Sequence, residues 1–311
     1  MYTHTPVLLT EVLAILEPKP NENFVDATLG GGGYTAALLA KNAPGGQVLA
    51  IDLDHAALEH ARRLQVGAQQ RLVLAHGNFR DIALHIRTSK FANIAGIVAD
   101  IGLSSYQLDE SERGISFQKH ERLDMRFDIV STDSTAEFIL NNYSTAELAK
   151  LFTEFGEERY SHKIADYIVR NRTRQGLKYT TDLNDLIKEA LPKPVKHRWA
   201  DSARRIYQAL RIEVNHELVN LERFLPEAFD LLAPQGKLIV VTFHSLEDRI
   251  VKNYFKSLAK GCVCPKEFPI CQCGQLPIGK ILTKKAVMAS AKELTKNSRA
   301  KSAKLRAVQK L

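Results

Sequence analysis

The sequence predicts an α/β fold with a parallel sheet and an inserted all-helical domain. Three observations carry that prediction. β-rich runs alternate with helical patterns through the first hundred residues, strand signals then stop from about residue 108 to 209, and a β-branched run resumes at 234–244. Such alternation gives a parallel sheet covered on both faces, with ligands beyond the carboxyl ends of its strands. The expected division is 1–107 and 210–311 for the two parts of the sheet domain, with 108–209 as the insert.

Each element has its own signal. Strands are expected at 23–26, 47–52, 71–75 and 94–100, and helices at 34–43, 55–64 and about 81–87. In the insert, Ser144-Thr-Ala-Glu147 is a capping box ahead of Leu148 and Leu151. Ser161 precedes Ile164, Ile168 and Val169 at helical spacing. Thr181 precedes Leu183, Leu186, Ile187 and Ala190, and Pro192 stops that helix. An amphipathic stretch at 202–225 and a shorter one at 226–232 lead into the resumed strand.

The most informative segment is Asp26-Ala-Thr-Leu-Gly30-Gly31-Gly32-Gly33-Tyr34, followed by Val48-Leu-Ala-Ile-Asp52. It reads as a buried strand, a glycine turn, a helix start and a second strand ending in a carboxylate. A Rossmann-type half-domain holds an adenosine cofactor in this way, with the acidic residue on the ribose hydroxyls. Thr35 stands where a dinucleotide fingerprint has its third glycine, and Asp26 precedes the turn. A pyrophosphate wants no such carboxylate, whereas the cationic amino-acid end of S-adenosylmethionine does. The methyl donor is therefore favoured over NAD, and both stay open on these residues alone.

Other candidate residues lie at strand ends. Asp100-Ile-Gly102-Leu-Ser104-Ser105-Tyr-Gln107 leaves the fourth strand at the edge where ligands bind. Thr242-Phe-His244-Ser245-Leu-Glu247-Asp248-Arg249 leaves the resumed strand and starts a helix, so its polar groups serve a substrate or only a cap, with Ser245 and Asp248 as the box. Leu123-Asp124-Met-Arg126-Phe-Asp128 alone reads as a salt-bridged turn. Tyr207 reads as a helix anchor, and with Trp199 it could instead stack bases among Arg204, Arg205 and Arg211.

Charge and cysteine placement bound the partners. The chain carries +8 over 311 residues, and 280–311 alone holds ten Lys/Arg against Glu293. The rest of the chain is close to neutral, so the basicity sits in a C-terminal tail suited to phosphate contacts or simply solvated. Cys262, Cys264, Cys271 and Cys273 fall within twelve residues, a spacing open to a zinc clip or to free thiols. No apolar run is long enough to span a membrane, and the first residues lack a secretion pattern. A cytoplasmic protein is expected.

Taken together, the motifs resemble the MraW (RsmH) family of small-subunit ribosomal RNA cytosine-N4 methyltransferases. The resemblance runs nearly end to end, through His4-Thr-Pro-Val-Leu-Leu-Thr-Glu11, Asp26 to Tyr34, Gly77-Asn-Phe79, Asp100 to Ser105, Leu123-Asp-Met-Arg126, Phe155-Gly-Glu-Glu158, Gln208 to Asn215, Phe243 to Arg249 and Asn297 to Arg306. It implies a class I methyltransferase fold and S-adenosyl-L-methionine as donor. It also implies N4-methylation of a decoding-centre cytidine, C1402, of 16S rRNA in the small ribosomal subunit, with no membrane and no DNA partner. The implied cofactor contacts are Gly32, Gly33, Tyr34, Asp52, Phe79, Asp100 and Gln107; Asp124, His244 and Ser245 are the candidates at the reacting amine. Three places depart from the pattern the resemblance implies. Tyr34 replaces a usual histidine, Gly31 stands where a non-glycine is often found, and Ala200-Asp-Ser-Ala-Arg204 replaces His-Pro-Ala-Thr-Arg. An NAD-dependent oxidoreductase and a non-catalytic RNA-binding protein are the rival readings.

Overall fold

A computed structural model describes residues 6–64, 70–102, 112–128, 134–261, 268 and 272–311. The chain forms two compact units, Met1–Gly102 with Leu218–Leu311, and Leu103–Glu217. The second unit extends past residue 209 because its last helix runs unbroken to Asn215.

The first unit holds α1 (Leu9–Leu16), β1 (Asn23–Asp26), α2 (Gly33–Lys41), β2 (Val48–Asp52), α3 (His55–Leu64), β3 (Leu72–His76), α4 (Ile82–Ser89) and β4 (Ile94–Asp100). Among the described residues seven strands form one sheet, in the order β3-β2-β1-β4-β5-β7-β6. Strands β1 to β5 are parallel. The chain leaves β1 toward β2 and β3, then returns to β4 on β1's other side. That reversal opens a crevice at the carboxyl ends of β1 and β4.

Period-two alternation assigns the two faces of the sheet. Val25, Leu49, Ile51, Ile97, Leu238 and Val240 pack on one side; Phe24, Val48, Val98, Ile239 and Val241 pack on the other. The first face is covered partly by Leu221, Phe224, Leu225, Ala228 and Phe229, a stripe at helical spacing along α10 (Glu217–Asp230). Helix α11 (Ser245–Ala259), which follows β5 (Leu232–Thr242), adds Val251, Phe255 and Leu258 to that face.

The helical unit contains α5 (Ala136–Asn142), α6 (Thr145–Glu154), α7 (Ser161–Gln175), α8 (Thr180–Ala190) and α9 (Trp199–Asn215). Their inward residues, among them Leu148, Phe152, Ile164, Ile168, Leu183, Ile187, Ile206 and Leu210, make one core. The capping box at α6 is formed in both directions. Ser144 N–H donates to Glu147 Oε2 at 2.7 Å, and Glu147 N–H donates to Ser144 Oγ at 3.3 Å. Ser161 is the first residue of α7 and Thr181 the second of α8, so both lie inside their helices rather than capping them.

Two features differ from the sequence expectation. The amphipathic stretch read as continuous over 202–225 is broken at His216, whose φ of 52° stops α9. Pro226 then lies inside α10 instead of starting a new helix; a proline there costs one backbone bond without ending the helix, because the apolar stripe holds both sides. The residues read as a basic tail include β7 (Lys304–Lys310), antiparallel to β5 and to β6 (Gly279–Ile281), with Leu305, Ala307 and Val308 buried. Arg306 forks onto Asp248 at 2.6 and 3.1 Å, and Lys310 donates to the carbonyls of Asp230 and Leu232. These two cations tie β7 to α11 and to the junction between α10 and β5.

Candidate active site

The glycine turn is built by its carboxylates. Gly30 and Gly32 have φ of 49° and 76°, the left-handed region where glycine is least strained. Gly30 N–H donates to Asp52 Oδ2 at 2.7 Å, and Asp54 N–H donates to Oδ1 at 2.8 Å. Asp26 is wholly buried and accepts from the Thr35 hydroxyl at 2.7 Å and from Thr28 N–H at 3.3 Å. Thr28 in turn accepts from Asp100 N–H at 2.7 Å. Asp26 therefore organises the turn from beneath. That role for Thr28 and Thr35 had no sequence signal beyond their closeness to the glycines.

These three carboxyls are all held above the ordinary carboxylate range. Burial pushes Asp26 up to about 7, against the bonds from Thr35 and Thr28. Burial likewise pushes Asp52 up to about 6 and Asp100 to about 7, with the Glu247 charge adding to the latter. Among the described residues no lysine or arginine forms an ion pair with any of them. The crevice is thus a low-dielectric place whose carboxyls have no ion-paired cation among the described residues.

The start of α2 has no side-chain cap, so its first backbone N–H groups point out of the helix end. Gly33 serves the protein's own N-terminal segment: a Cβ there would lie 2.6 Å from Pro6 Cγ. The buried Tyr34 ring packs with Val7, Leu8 and Leu38, and its hydroxyl donates to the Val7 carbonyl. Leu8 N–H is held by Glu293 at 2.7 Å. Only the main chain of Tyr34 is left for a ligand. Phe79 is half-buried after β3, edge-on to Phe224 with ring centroids 5.2 Å apart.

Strand β5 delivers the next group. Val241 pairs with Asp100, and the Ile101 N–H donates to the Val241 carbonyl at 2.9 Å, so the two strand ends emerge side by side. Gly102 packs under the Phe243 ring, where a Cβ would come within 2.4 Å. His244 stands just before α11, and Ser245 is that helix's first residue. The cap is not Ser245 with Asp248, as the spacing suggested. Glu247 Oε2 accepts the N–H groups of Phe243 at 2.7 Å and His244 at 3.2 Å, while Asp248 is taken by Arg306.

Asp124 belongs to the helical unit. Arg126 grips both of its oxygens at 2.8 Å. Burial alone would raise its pKa, but the Arg126 hydrogen bonds and charge outweigh that and hold it below the usual range. It lines a polar cleft of about 500 Å³ with Arg122, Arg126, Thr135, Glu137 and Phe138. Tyr207 is an internal anchor, its hydroxyl donating to the Thr180 carbonyl at 3.1 Å and to Asn184 at 3.2 Å. Arg205 and Arg211 are engaged by Glu158 and Glu217. Gln107 lies outside the described residues, as do Cys262, Cys264 and Cys271; Cys273 is half-buried.

The sheet order, the glycine turn and the carboxylate on β2 are found with a sequence that matches the MraW methylase family over residues 1–311. The chain belongs to that family. It is 45% identical over 312 residues to the ribosomal RNA small subunit methyltransferase H of Heliobacterium modesticaldum, covering 100% of this chain and 99% of the relative. The protein of the same name from Heliobacterium mobile is 46% identical over 312 residues at the same coverage. That of Geobacter sulfurreducens is 43% identical over 310 residues, again 100% and 99% covered. Methyl transfer is the family's chemistry, and the oxidoreductase and non-catalytic readings give way to it. Among the described residues no helix is long and apolar enough to cross a membrane.

Proposed function

We propose that this chain transfers a methyl group from S-adenosylmethionine to N4 of a cytidine in small-subunit ribosomal RNA, the decoding-centre C1402 of 16S rRNA, in the cytoplasm. The observation that carries the donor is the trio Asp26, Asp52 and Asp100 around the glycine turn, raised by burial to about 7, 6 and 7 with no ion-paired cation among the described residues. A ligand bearing a sulfonium and an ammonium supplies the missing positive charge. The names of the relatives support the acceptor.

In this reading Asp52 holds the ribose hydroxyls and Phe79 lies beside the adenine. Asp100 and Gln107 receive the amino-acid end, and the main chain at Gly32, Gly33 and Tyr34 lines the turn. Bound there, S-adenosylmethionine supplies an already activated methyl group, so no metal is required for activation.

Cytosine N4 is a poor nucleophile because its lone pair is delocalised into the ring. The protein's task is to hold the amine in line, accept its N–H bonds and take a proton once the methyl is bound. Orientation of this kind is able to lower a barrier by roughly 7–11 kcal/mol. His244 is the group we assign to the proton; that it follows β5, whose Val241 pairs with Asp100, supports the reading, with Ser245 next to it. Asp124 is spoken for by Arg126 and is a weak proton acceptor, so its role is to fix that guanidinium. The target base must leave its stack to be reached, which favours open or partly assembled subunits as substrate.

The test is label transfer from methyl-labelled S-adenosylmethionine into 30S particles, followed by nuclease digestion and mass spectrometry of the modified nucleoside. N4-methylcytidine at one site is expected. Label on another atom or another RNA would refute the reading.

A further inference from the structure

Cofactor binding leaves the pairing of His244 with Glu247 unexplained. The His244 side chain is 9% exposed and that of Glu247 1%, and Nε2 lies 3.0 Å from Glu247 Oε1. Yet neither ring nitrogen nor Oε1 has an aligned hydrogen-bond partner among the described residues. Glu247 Oε2, by contrast, is fully engaged with the backbone N–H groups of Phe243 and His244. One oxygen thus fixes the strand-to-helix turn while the other faces an imidazole.

A helix cap needs only the first oxygen. Leaving a nearly dry imidazole and a carboxylate oxygen unaligned costs free energy, so the arrangement calls for a reason. Catalytic hydrogen bonds are often poorly aligned in a free enzyme and tighten when substrate binds. The backbone grip prevents Glu247 from turning away, and the charge it presents selects the imidazole tautomer with hydrogen on Nε2. Nδ1 then carries the lone pair.

We infer that Glu247 is a positioning residue for His244, setting its tautomer and orientation so that Nδ1 takes the proton released by the methylated amine. The inference rests on the function proposed above. When N4 bonds to the methyl carbon, the carbon–sulfur electron pair stays on sulfur and N4 holds one proton too many. That proton moves to Nδ1, the imidazolium so formed faces the Glu247 carboxylate, and the proton leaves later to water.

Glu247→Gln separates this role from capping. The amide keeps an oxygen for the Phe243 and His244 N–H groups but turns a donor toward Nε2, which favours the opposite tautomer. The expected result is a fall in kcat on the order of 10²-fold, with KM for RNA and cofactor affinity little changed. In free protein with ring-labelled histidine, the nitrogen NMR signals of His244 should shift from the Nε2–H to the Nδ1–H form.

Should Glu247→Gln disturb the fold, the substitution is repeated in a His244→Ala background. Positioning predicts no further loss of kcat there, whereas a purely structural role predicts the same loss again. A kcat within twofold of wild type, an unchanged tautomer, or an undiminished loss in the His244→Ala background overturns the inference. Absence of methyl transfer to N4 by the wild-type enzyme would instead overturn the functional reading, and the tautomer measurement would still decide whether Glu247 sets His244.

Discussion

The phenol of Tyr34 donates to the main-chain carbonyl of Val7, so the side chain at the helix start ties down the N-terminal segment instead of facing the ligand crevice. This is the position where the family resemblance leads one to expect a histidine. Tyr34→Phe removes the donor from a buried carbonyl and should cost about 1–3 kcal/mol in urea unfolding. Cofactor affinity by calorimetry should stay within about threefold, because only the main chain is offered to the ligand. A much larger loss of affinity would show that the phenol reaches the cofactor after all.

Gly33 makes the same point sterically. A Cβ there meets Pro6 Cγ at 2.6 Å and Cδ at 2.7 Å. Gly33→Ala should therefore displace the segment around Pro6 and destabilise by about 1–3 kcal/mol, as overpacking does. Faster proteolysis near the N-terminus is the measurement that checks it.

Asp52 is expected to serve both turn and ribose. Asp52→Asn keeps one acceptor for Gly30 or Asp54 but loses the charge, and should weaken S-adenosylmethionine binding by roughly 10–100-fold, about 1.5–3 kcal/mol for a hydrogen bond to a charged group. Folding stability should rise or stay level, since the raised pKa marks an ionised carboxylate that the fold disfavours. Unchanged affinity would place the ribose elsewhere.

The raised carboxyls also set a pH dependence. Asp26 and Asp100 near 7 and Asp52 near 6 hold their protons more tightly folded than unfolded. Their contribution to stability is full below about 4, the unfolded value, and is lost as pH rises through about 6 to 7. A cationic ligand prefers the ionised forms, so S-adenosylmethionine should bind more tightly at pH 8 than at pH 6 and release protons on binding. Calorimetry in buffers of different ionisation heat reads that release; none, with flat affinity, would remove the electrostatic account.

Arg306 distinguishes a structural cation from an RNA contact. Arg306→Ala leaves Asp248 with the longer approach of Lys304 at 3.8 Å and the more distant charge of Lys252 and should cost about 3 kcal/mol, as breaking a mostly buried pair does. The salt dependence of RNA binding should be unchanged. A drop of about 0.9 in its logarithmic slope would instead mark Arg306 as a phosphate contact.

The parallel part of the sheet was legible because β1, β2 and β4 are largely buried and read as apolar runs punctuated by turns, while β3, half-buried at the sheet edge, keeps a short apolar run of its own. The glycine turn was legible because its φ values demand glycine at Gly30 and Gly32. What escaped were relations across long sequence distance. Strand β7 alternates correctly, with Leu305 and Ala307 inward, but its lysines and arginines hid the period behind a charge run. Glu247 looked like one acid among several, since nothing local shows that Asp248 is drawn away by Arg306, 58 residues on. His216 gave no sign that it would take a left-handed φ and split a long amphipathic stretch. Pro6 against Gly33 is a contact that only the folded chain reveals.

Strand β7 follows β6 in sequence yet lies between β6 and β5 in the sheet. β6 therefore has no neighbour to pair with until the residues after it have been made and threaded into place. This half of the sheet closes by contacts of high sequence separation, which are slow to form. The order of synthesis and the order of assembly run in opposite directions here, and β6 is left waiting with an unpaired edge during the interval.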